Sequence, residues 1–297
     1  MKICVLMSTY NGEKYLKGQL DSILNQEGVE LDILIRDDGS TDRTLEILEE
    51  YSKKYKNIEY YTGKNLKSAW SFMELLYSCK KHDYYAFADQ DDVWKKEKLI
   101  KGIGELKGNF HLYGCKKIIV DSDLNTLPKE DKIPEKLTLG SVMTQCKISG
   151  CTMVFDNYLR DKLLEYKPKA ISMHDSWVLK VAKCIGEIYY DKNEYIYYRQ
   201  HNNNVVGVQK TFFIRGIRYL KNLKTNRQKN LLKEMAAEIY NGYGKYLEEE
   251  ERINLYYLAN MDIKYMNRIK LLKKDFLFKD NRIETLILKL LILLKII

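Results

Sequence analysis

Apolar runs alternate with amphipathic stretches through the first third of the chain. KICVLMS (2–8) reads as a strand, and 13–26 as a helix with Leu16, Leu20, Ile23 and Leu24 on one face. LDILIRD (31–37) predicts a second strand. A second helix follows over 42–56, with Ser40 or Thr41 as cap and Leu45, Leu48 and Tyr51 facing inward. IEYYT (58–62), 67–80 and YYAFAD (84–89) supply a third strand, a third helix and a fourth strand. Unbroken apolar strands between helices suit a parallel sheet covered on both faces. The expected fold is α/β and Rossmann-like, a mainly parallel sheet flanked by helices, with ligands beyond the carboxyl ends of the strands.

Beyond residue 110 the pattern becomes mixed. A strand is expected at 111–120, a polar loop at 121–138, a strand at 151–156 and a helix from about Asp175. IYYDKNEYIYYR (188–199) reads as a hairpin turning at Lys192-Asn193. From about 210 the chain reads as helices, so two regions are expected, 1–209 and a helical 210–297. The terminal TLILKLLILLKII (285–297) is shorter than the ~20 apolar residues that span a bilayer. It is either a helix docked on the rest of the protein or one lying in a membrane interface.

Charge sharpens the division. The net charge of +9 resides wholly in the second region: residues 1–209 hold 31 Lys/Arg and 31 Asp/Glu, residues 210–297 hold 19 and 10. The run Lys210, Arg215, Arg218, Lys221, Lys224, Arg227, Lys229 favours contact with anionic lipid. Nucleic acid is not an expected partner, because the first region is neutral and no recognition motif accompanies the basic one. The six cysteines have no CxxC or CxxxH spacing and read as free thiols in a reducing cytoplasm. Met1-Lys2 leads directly into a strand-like run, so no secretory leader is expected.

Four segments carry candidate chemistry. GxGxxG is absent after the first strand; STYNGEKYL (8–16) stands there, and IRDDGSTDRT (35–44) follows the second strand. Asp-Asp-Gly-Ser can grip a polar ring or ribose, although Asp-Gly-Ser is also plain turn chemistry. YYAFADQDDVW (84–94) crowds Asp89, Asp91 and Asp92 at the end of an apolar strand, where they repel one another and lose solvation. A hard divalent cation offsets that cost. Alternatively Asp92 caps a helix at 95–107 while the others face water. ISMHDSWVLKVA (171–182) sets His174-Asp175 at a helix start, as an ionised carboxylate or merely an N-cap. YYRQHNNNVVG (197–207) offers a cationic Arg199 and, in His201, a metal ligand or a structural imidazole.

In this order and spacing, STYNGE, DDGSTD, DQDD and HDSW resemble the family 2 inverting glycosyltransferases of GT-A fold. DQDDVW and YRQHNNNVVG look especially like the rhamnosyltransferase-like members that build bacterial surface polysaccharides. The resemblance covers roughly 1–207 and implies a GT-A domain followed by a helical C-terminal region. It implies that Thr9, Tyr10, Asn11, Glu13, Asp37, Asp38, Asn65, Asp89, Gln90 and Arg199 serve the donor site, with Glu13 bracing its loop. It further implies Asp91 and His201 as ligands of Mn2+ or Mg2+, Asp175 as general base, and Asp92, His174 and Trp177 as supporting residues. The donor is then a nucleotide sugar such as dTDP-rhamnose or a UDP-hexose, and the acceptor a glycan or lipid-linked saccharide. The expected location is cytoplasmic and peripheral at the inner membrane face, with a homo-oligomer through the C-terminal helices as a further expectation. Two positions depart from the family pattern: His174 stands where many members have Glu, and Lys67 where N-x-G has Gly. The alternatives are a nucleotidyltransferase or a nucleotide-sugar-binding protein of the same fold class. The first usually needs a basic Gly-rich loop after the first strand, which TYNGEKYL lacks.

Overall fold

The computed structural model describes residues 1–131, 133–201 and 231–296; the basic run at 210–229 lies outside them. The alternating pattern folds as β1 (Lys2–Thr9), α1 (Leu16–Leu24), β2 (Glu30–Asp37), α2 (Thr44–Lys54), β3 (Ile58–Thr62), α3 (Lys67–Ser78) and β4 (Tyr84–Ala88). These strands are parallel in the order β3-β2-β1-β4. Strand β1 is apolar on both faces because both are covered: Ile3, Val5 and Met7 enter one core with α1 and α2, while Cys4 and Leu6 enter another with α3. At the start of α2, Asp42 accepts from the Thr44 N–H at 3.0 Å, whereas Ser40 bonds elsewhere.

The chain continues through β5 (Val93–Trp94), α4 (Lys98–Glu105), β6 (Phe110–Val120), β7 (Thr126–Glu130), α5 (Leu139–Thr144), β8 (Val154–Asp156), α6 (Asn157–Glu165), α7 (His174–Ile185) and β9 (Glu187–Arg199). Among the described residues the sheet has nine strands: β8, β6, β9 and β5 extend it beyond β4, and β7 pairs with β6. This half is mixed, with β8 antiparallel to β4 and β6, and β9 parallel to β6. The expected polar loop at 121–138 contains a hairpin instead. Its turn is held by Asp121, which accepts from the N–H groups of Asp123 and Asn125, each at 2.9 Å.

The expected hairpin at 188–199 is one continuous strand. Cys115 faces Asp191 and Lys116 faces Glu194, so Lys192 and Asn193 bulge from β9 without reversing it. The turn signal was local: Asp191 accepts from the Asn193 N–H at 2.8 Å. This bulged strand delivers Arg199 and His201 to the edge where β4 ends.

The C-terminal helices are α8 (Leu231–Tyr243), α9 (Glu249–Ala259), α10 (Tyr265–Lys273) and α11 (Arg282–Leu293). They do not form a separate core. Met235, Ile239, Tyr243, Leu258, Leu271 and Ile292 belong to the same cluster as Leu6, Phe87 and Trp177. Trp177, expected beside the site, is fully buried in this cluster, its ring 5.9 Å from that of Tyr243 at 63°. Two residues along a helix is about 200° of rotation, so a site-facing Asp175 turns Trp177 to the opposite side. Trp177→Ala is predicted to cost about 3–5 kcal/mol in chemical denaturation. One shared transition should report the loss from probes in both regions; a loss confined to one region would contradict the common core.

Candidate active site

Parallel pairing brings the ends of β1, β2 and β4 to one edge, with Thr9 in register with Asp37. The Asp37 carboxylate accepts from Thr9 Oγ1 (2.9 Å), Gly39 N (3.0 Å), Ser40 N (2.8 Å) and Ser40 Oγ (2.5 Å). Thr9 and Asp37 are thereby buried behind the site and shape the turn rather than face a ligand. The loop after β1 is tied to the loop after β2. Asn11 N donates to Ser40 Oγ (2.8 Å), Thr41 N to Asn11 Oδ1 (2.9 Å), and Arg43 N to Glu13 Oε2 (2.9 Å). Gln90 closes the other side by a reciprocal pair with Tyr10, accepting from its N–H at 2.8 Å and donating to its carbonyl at 3.1 Å. Gly12 leaves room for this pair, because a Cβ there would lie 2.4 Å from Gln90 Oε1 and displace that side chain.

Asp38 lies at the cavity wall, ion-paired with buried Arg36 and accepting from Leu66 N at 3.0 Å. Arg36 Nη2 also donates to the Lys64 carbonyl at 2.8 Å, which fixes the loop after β3. In that loop Asn65 Oδ1 accepts from Lys67 N, and Lys67 sits at φ 62°. The left-handed turn that favours glycine is thus kept by a lysine, at a cost of about 1–2 kcal/mol, and a cation enters the cavity wall. Tyr10, 49% exposed, presents its ring to the same side.

The acidic corner follows β4. Burial first, then the charges of Asp91 and Asp175, push the Asp89 carboxyl up to about 7, with Lys117 opposing. Burial likewise raises Asp91, against the pull of His201, whose Nε2 lies 2.7 Å from Asp91 Oδ2. Asp92 is fully buried and held well above the carboxylate range by burial and its two neighbours. It does not cap α4; its Oδ1 accepts from Arg199 N at 3.1 Å. Arg199, expected on the donor, is turned inward. Its Nε donates to the Asp91 carbonyl at 2.8 Å, Nη1 bonds the Ser122 carbonyl, and the guanidinium lies 4.4 Å from the Tyr15 ring centroid. The physical reason is burial: a guanidinium that is 6% exposed must satisfy its donors within the fold.

These groups fit a hard cation. Asp89, Asp91 and His201 line the cavity, and burial drives the Asp89 and Asp91 carboxylates toward protonation, a cost that a hard cation offsets. A second cluster, Asp89, Asp92 and Cys151, has its ligand atoms within 4.8 Å of one another. Burial holds the Cys151 thiol protonated, which unsuits that cluster to a hard ion. Lys117, which sequence reasoning missed, donates to Ser149 Oγ at 2.6 Å and supplies the nearby positive charge. Its signal was Lys116-Lys117 interrupting the apolar strand FHLYGCKKIIV.

Across the cavity, Asp175 opens α7. Its oxygens accept from Gly150 N (3.2 Å) and Ser176 N (2.6 Å). One cavity of about 2280 Å3 brings together Tyr10, Asn11, Asp38, Asn65, Asp89, Gln90, Asp91, His174, Asp175 and His201 from the expected set. Thr9, Glu13, Asp37, Asp92, Trp177 and Arg199 lie outside its lining.

The sequence profile of glycosyl transferase family 2 matches residues 4–166, more than half of the chain. The chain belongs to glycosyl transferase family 2. It is 31% identical over 225 residues to the dTDP-rhamnosyl transferase RfbG of Shigella flexneri, covering 69% of this chain and 75% of that one. In fold it is similar to S. aureus TarS 1-349 in complex with UDP-GlcNAc (TM-score 0.58, 20% identity, 92% of this chain and 84% of that one). It is also similar to the mannosyltransferase PcManGT from Pyrobaculum calidifontis in complex with GDP-Man and Mn2+ (TM-score 0.52, 13% identity, 97% and 86%). The mixed sheet with its parallel half is the GT-A-like architecture of this family.

His174, the departure from the family's Glu, occupies an apolar slot. Its ring stacks on Phe72 at 4.0 Å and meets Phe87 edge-on at 4.9 Å. Burial drives its pKa down to about 4, so the folded protein holds it neutral while the unfolded chain takes up a proton below about 6.5. Stability is therefore predicted to fall as pH drops from 6.5 toward 4, by on the order of 3 kcal/mol from this residue. His174→Leu should flatten that slope in denaturation series; an unchanged slope would contradict the assignment.

Proposed function

We propose that the protein transfers a sugar, with inversion, from a nucleotide-diphosphate donor to a glycan or lipid-linked saccharide in bacterial surface polysaccharide synthesis. dTDP-rhamnose and UDP-hexoses are the leading donors, the first supported by the likeness to RfbG and the second by the TarS complex. The observation that carries the reading is one cavity lined on one side by Asp89, Asp91 and His201 and on another by Asp175. Tyr10, Asp38 and Asn65 would hold the nucleoside, and Asp89 the ribose or sugar. Asp175 accepts the proton of the acceptor hydroxyl as that oxygen attacks the anomeric carbon opposite the diphosphate. Its fixed hydrogen bonds from Gly150 and Ser176 aim the carboxylate for this task. The bond to the diphosphate breaks as the new one forms, so no covalent intermediate is needed. Asp91 and His201 would hold Mn2+ or Mg2+, which when bound supplies positive charge for the leaving diphosphate. Arg199 acts as a positioning residue, through the Asp91 carbonyl and the Asp92 carboxylate.

A donor screen with Mn2+ or Mg2+, following nucleoside diphosphate release, tests this. Asp175→Asn and Asp91→Ala are each predicted to lower transfer by about 10²–10⁴-fold. Wild-type turnover in both would overturn the site, and release of inorganic pyrophosphate would mark a nucleotidyltransferase.

We further propose that the C-terminal region lies on the anionic inner face of the cell membrane. Helix α11 docks through Leu288, Leu291 and Ile292 but leaves Ile283, Leu286, Ile287, Leu290, Leu293 and Leu294 in water as one stripe. No helix among the described residues is long and apolar enough to cross a membrane, so this stripe suits an interface. Full-length protein should sediment with phosphatidylglycerol vesicles at low salt, and the Leu286→Glu, Leu290→Glu double variant should not. Equal sedimentation would contradict the contact, and a concentration-dependent dimer lost in the same variant would assign the stripe to self-association.

A further inference from the structure

The catalytic cavity does not end with the glycosyltransferase region. Beyond Asp175 its wall is completed by Asp280, Asn281 and Glu284, from the junction of α10 and α11. This wall is built onto α5. The Phe276 carbonyl packs so closely on Gly140 that a Cβ there would fall 1.7 Å from it. Thr144 Oγ1 donates to the Phe278 carbonyl at 2.7 Å, Asp280 N donates to Gln145 Oε1 at 3.2 Å, and Lys147 Nζ meets Asp280 Oδ1 at 2.5 Å. Asn281 then caps α11, accepting from Ile283 N and Glu284 N at 2.8 and 3.2 Å, which sets Glu284 in the first turn.

The charge of this end is balanced. Lys116 pairs with Glu194 (2.9 Å) and Lys147 with Asp280 (2.5 Å), while the charge of Lys117 is directed to Asp89 on the donor side. Glu284 is 27% exposed, and its contact with Lys279, at 3.7 Å, is too long for a hydrogen bond. A wall of carboxylate and amide oxygens with its lysines neutralised accepts hydrogen bonds from hydroxyl groups and gives a phosphate no net attraction.

We propose that residues 280–284 are the outer wall of the acceptor site, and that Glu284 binds hydroxyls of a neutral acceptor saccharide. The C-terminal region thereby sets acceptor choice. Any diphosphate of a lipid-linked acceptor lies beyond this wall, outside the reacting sugar's subsite. The inference rests on the transferase reading, which supplies the donor side of the same cavity.

The test uses the full-length enzyme with Mn2+ and its best donor. It measures donor hydrolysis without acceptor, and transfer to n-octyl glycosides of rhamnose, glucose, galactose and N-acetylglucosamine. Glu284→Ala should raise the KM for the preferred glycoside about tenfold, the worth of one hydrogen bond to a charged group. Donor KM and hydrolysis should stay within about twofold, the loss being one group on the acceptor side only. Glu284→Gln should recover most of the acceptor affinity, and Lys279→Ala, which loosens the ion pair outside the cavity, should leave it unchanged. Gly140→Ala, which displaces the wall, should raise acceptor KM with hydrolysis retained. An unchanged acceptor KM in Glu284→Ala, parallel loss of hydrolysis and transfer, or transfer to none of the glycosides while hydrolysis persists would each overturn the proposal. Absence of donor hydrolysis in the wild type counts instead against the transferase reading.

Discussion

The structure depends on how it accommodates carboxylates crowded at the end of β4. Desolvation raises Asp89, Asp91 and Asp92, and repulsion from neighbouring carboxylates adds to it at Asp89 and Asp92, with Asp175 acting on Asp89 from across the cavity. The fold answers with fixed donors. Arg199 is buried against the Asp91 carbonyl and donates its backbone N–H to Asp92, His201 meets Asp91, and Lys117 faces Asp89. These offsets are incomplete, because Asp89 still titrates near 7. A site that keeps such a deficit of positive charge while opening to a large cavity suits a divalent cation and the phosphates it carries.

The parallel half of the fold was legible because its strands are buried on both faces and read as unbroken apolar runs. The second half was not. Strand β9 carries tyrosines and charges on a partly exposed surface, and its Asp191–Asn193 turn signal is satisfied within a bulge. Helix α5 is six residues long, too short for a periodic signal.

The site residues divide by the same logic. Side-chain chemistry told which residues could hold a donor or cation, but not which backbone groups would lie near them. Asp37 and Asp38 are adjacent and chemically identical. Three donors of its own turn and Thr9 Oγ1 from β1 take up Asp37, while Asp38 reaches the cavity wall. Arg199 was legible as a cation and illegible as an internal brace, since only the bulged path of β9 carries it beneath the Asp91 carbonyl. Lys67 is the reverse case. The missing glycine looked like a lost contact, yet the left-handed turn persists at φ 62° and brings a cation with it. The C-terminal helices, read as a separate region, share a core with the sheet through Trp177 and Tyr243 and reach the cavity through Glu284.

An acidic corner of this build calls for a cation. Titrating Mn2+ into the full-length protein by calorimetry at pH 8 and pH 5.5 tests it most directly. Asp89 has its folded pKa raised from 3.8 to about 7, so as pH falls through 7 the corner loses the Asp89 charge that helps attract the cation held by Asp91 and His201. Binding is expected at pH 8, weaker at pH 5.5 where it is accompanied by proton release, and lost in Asp91→Ala. Binding that is absent at pH 8, or unchanged by Asp91→Ala, would contradict it.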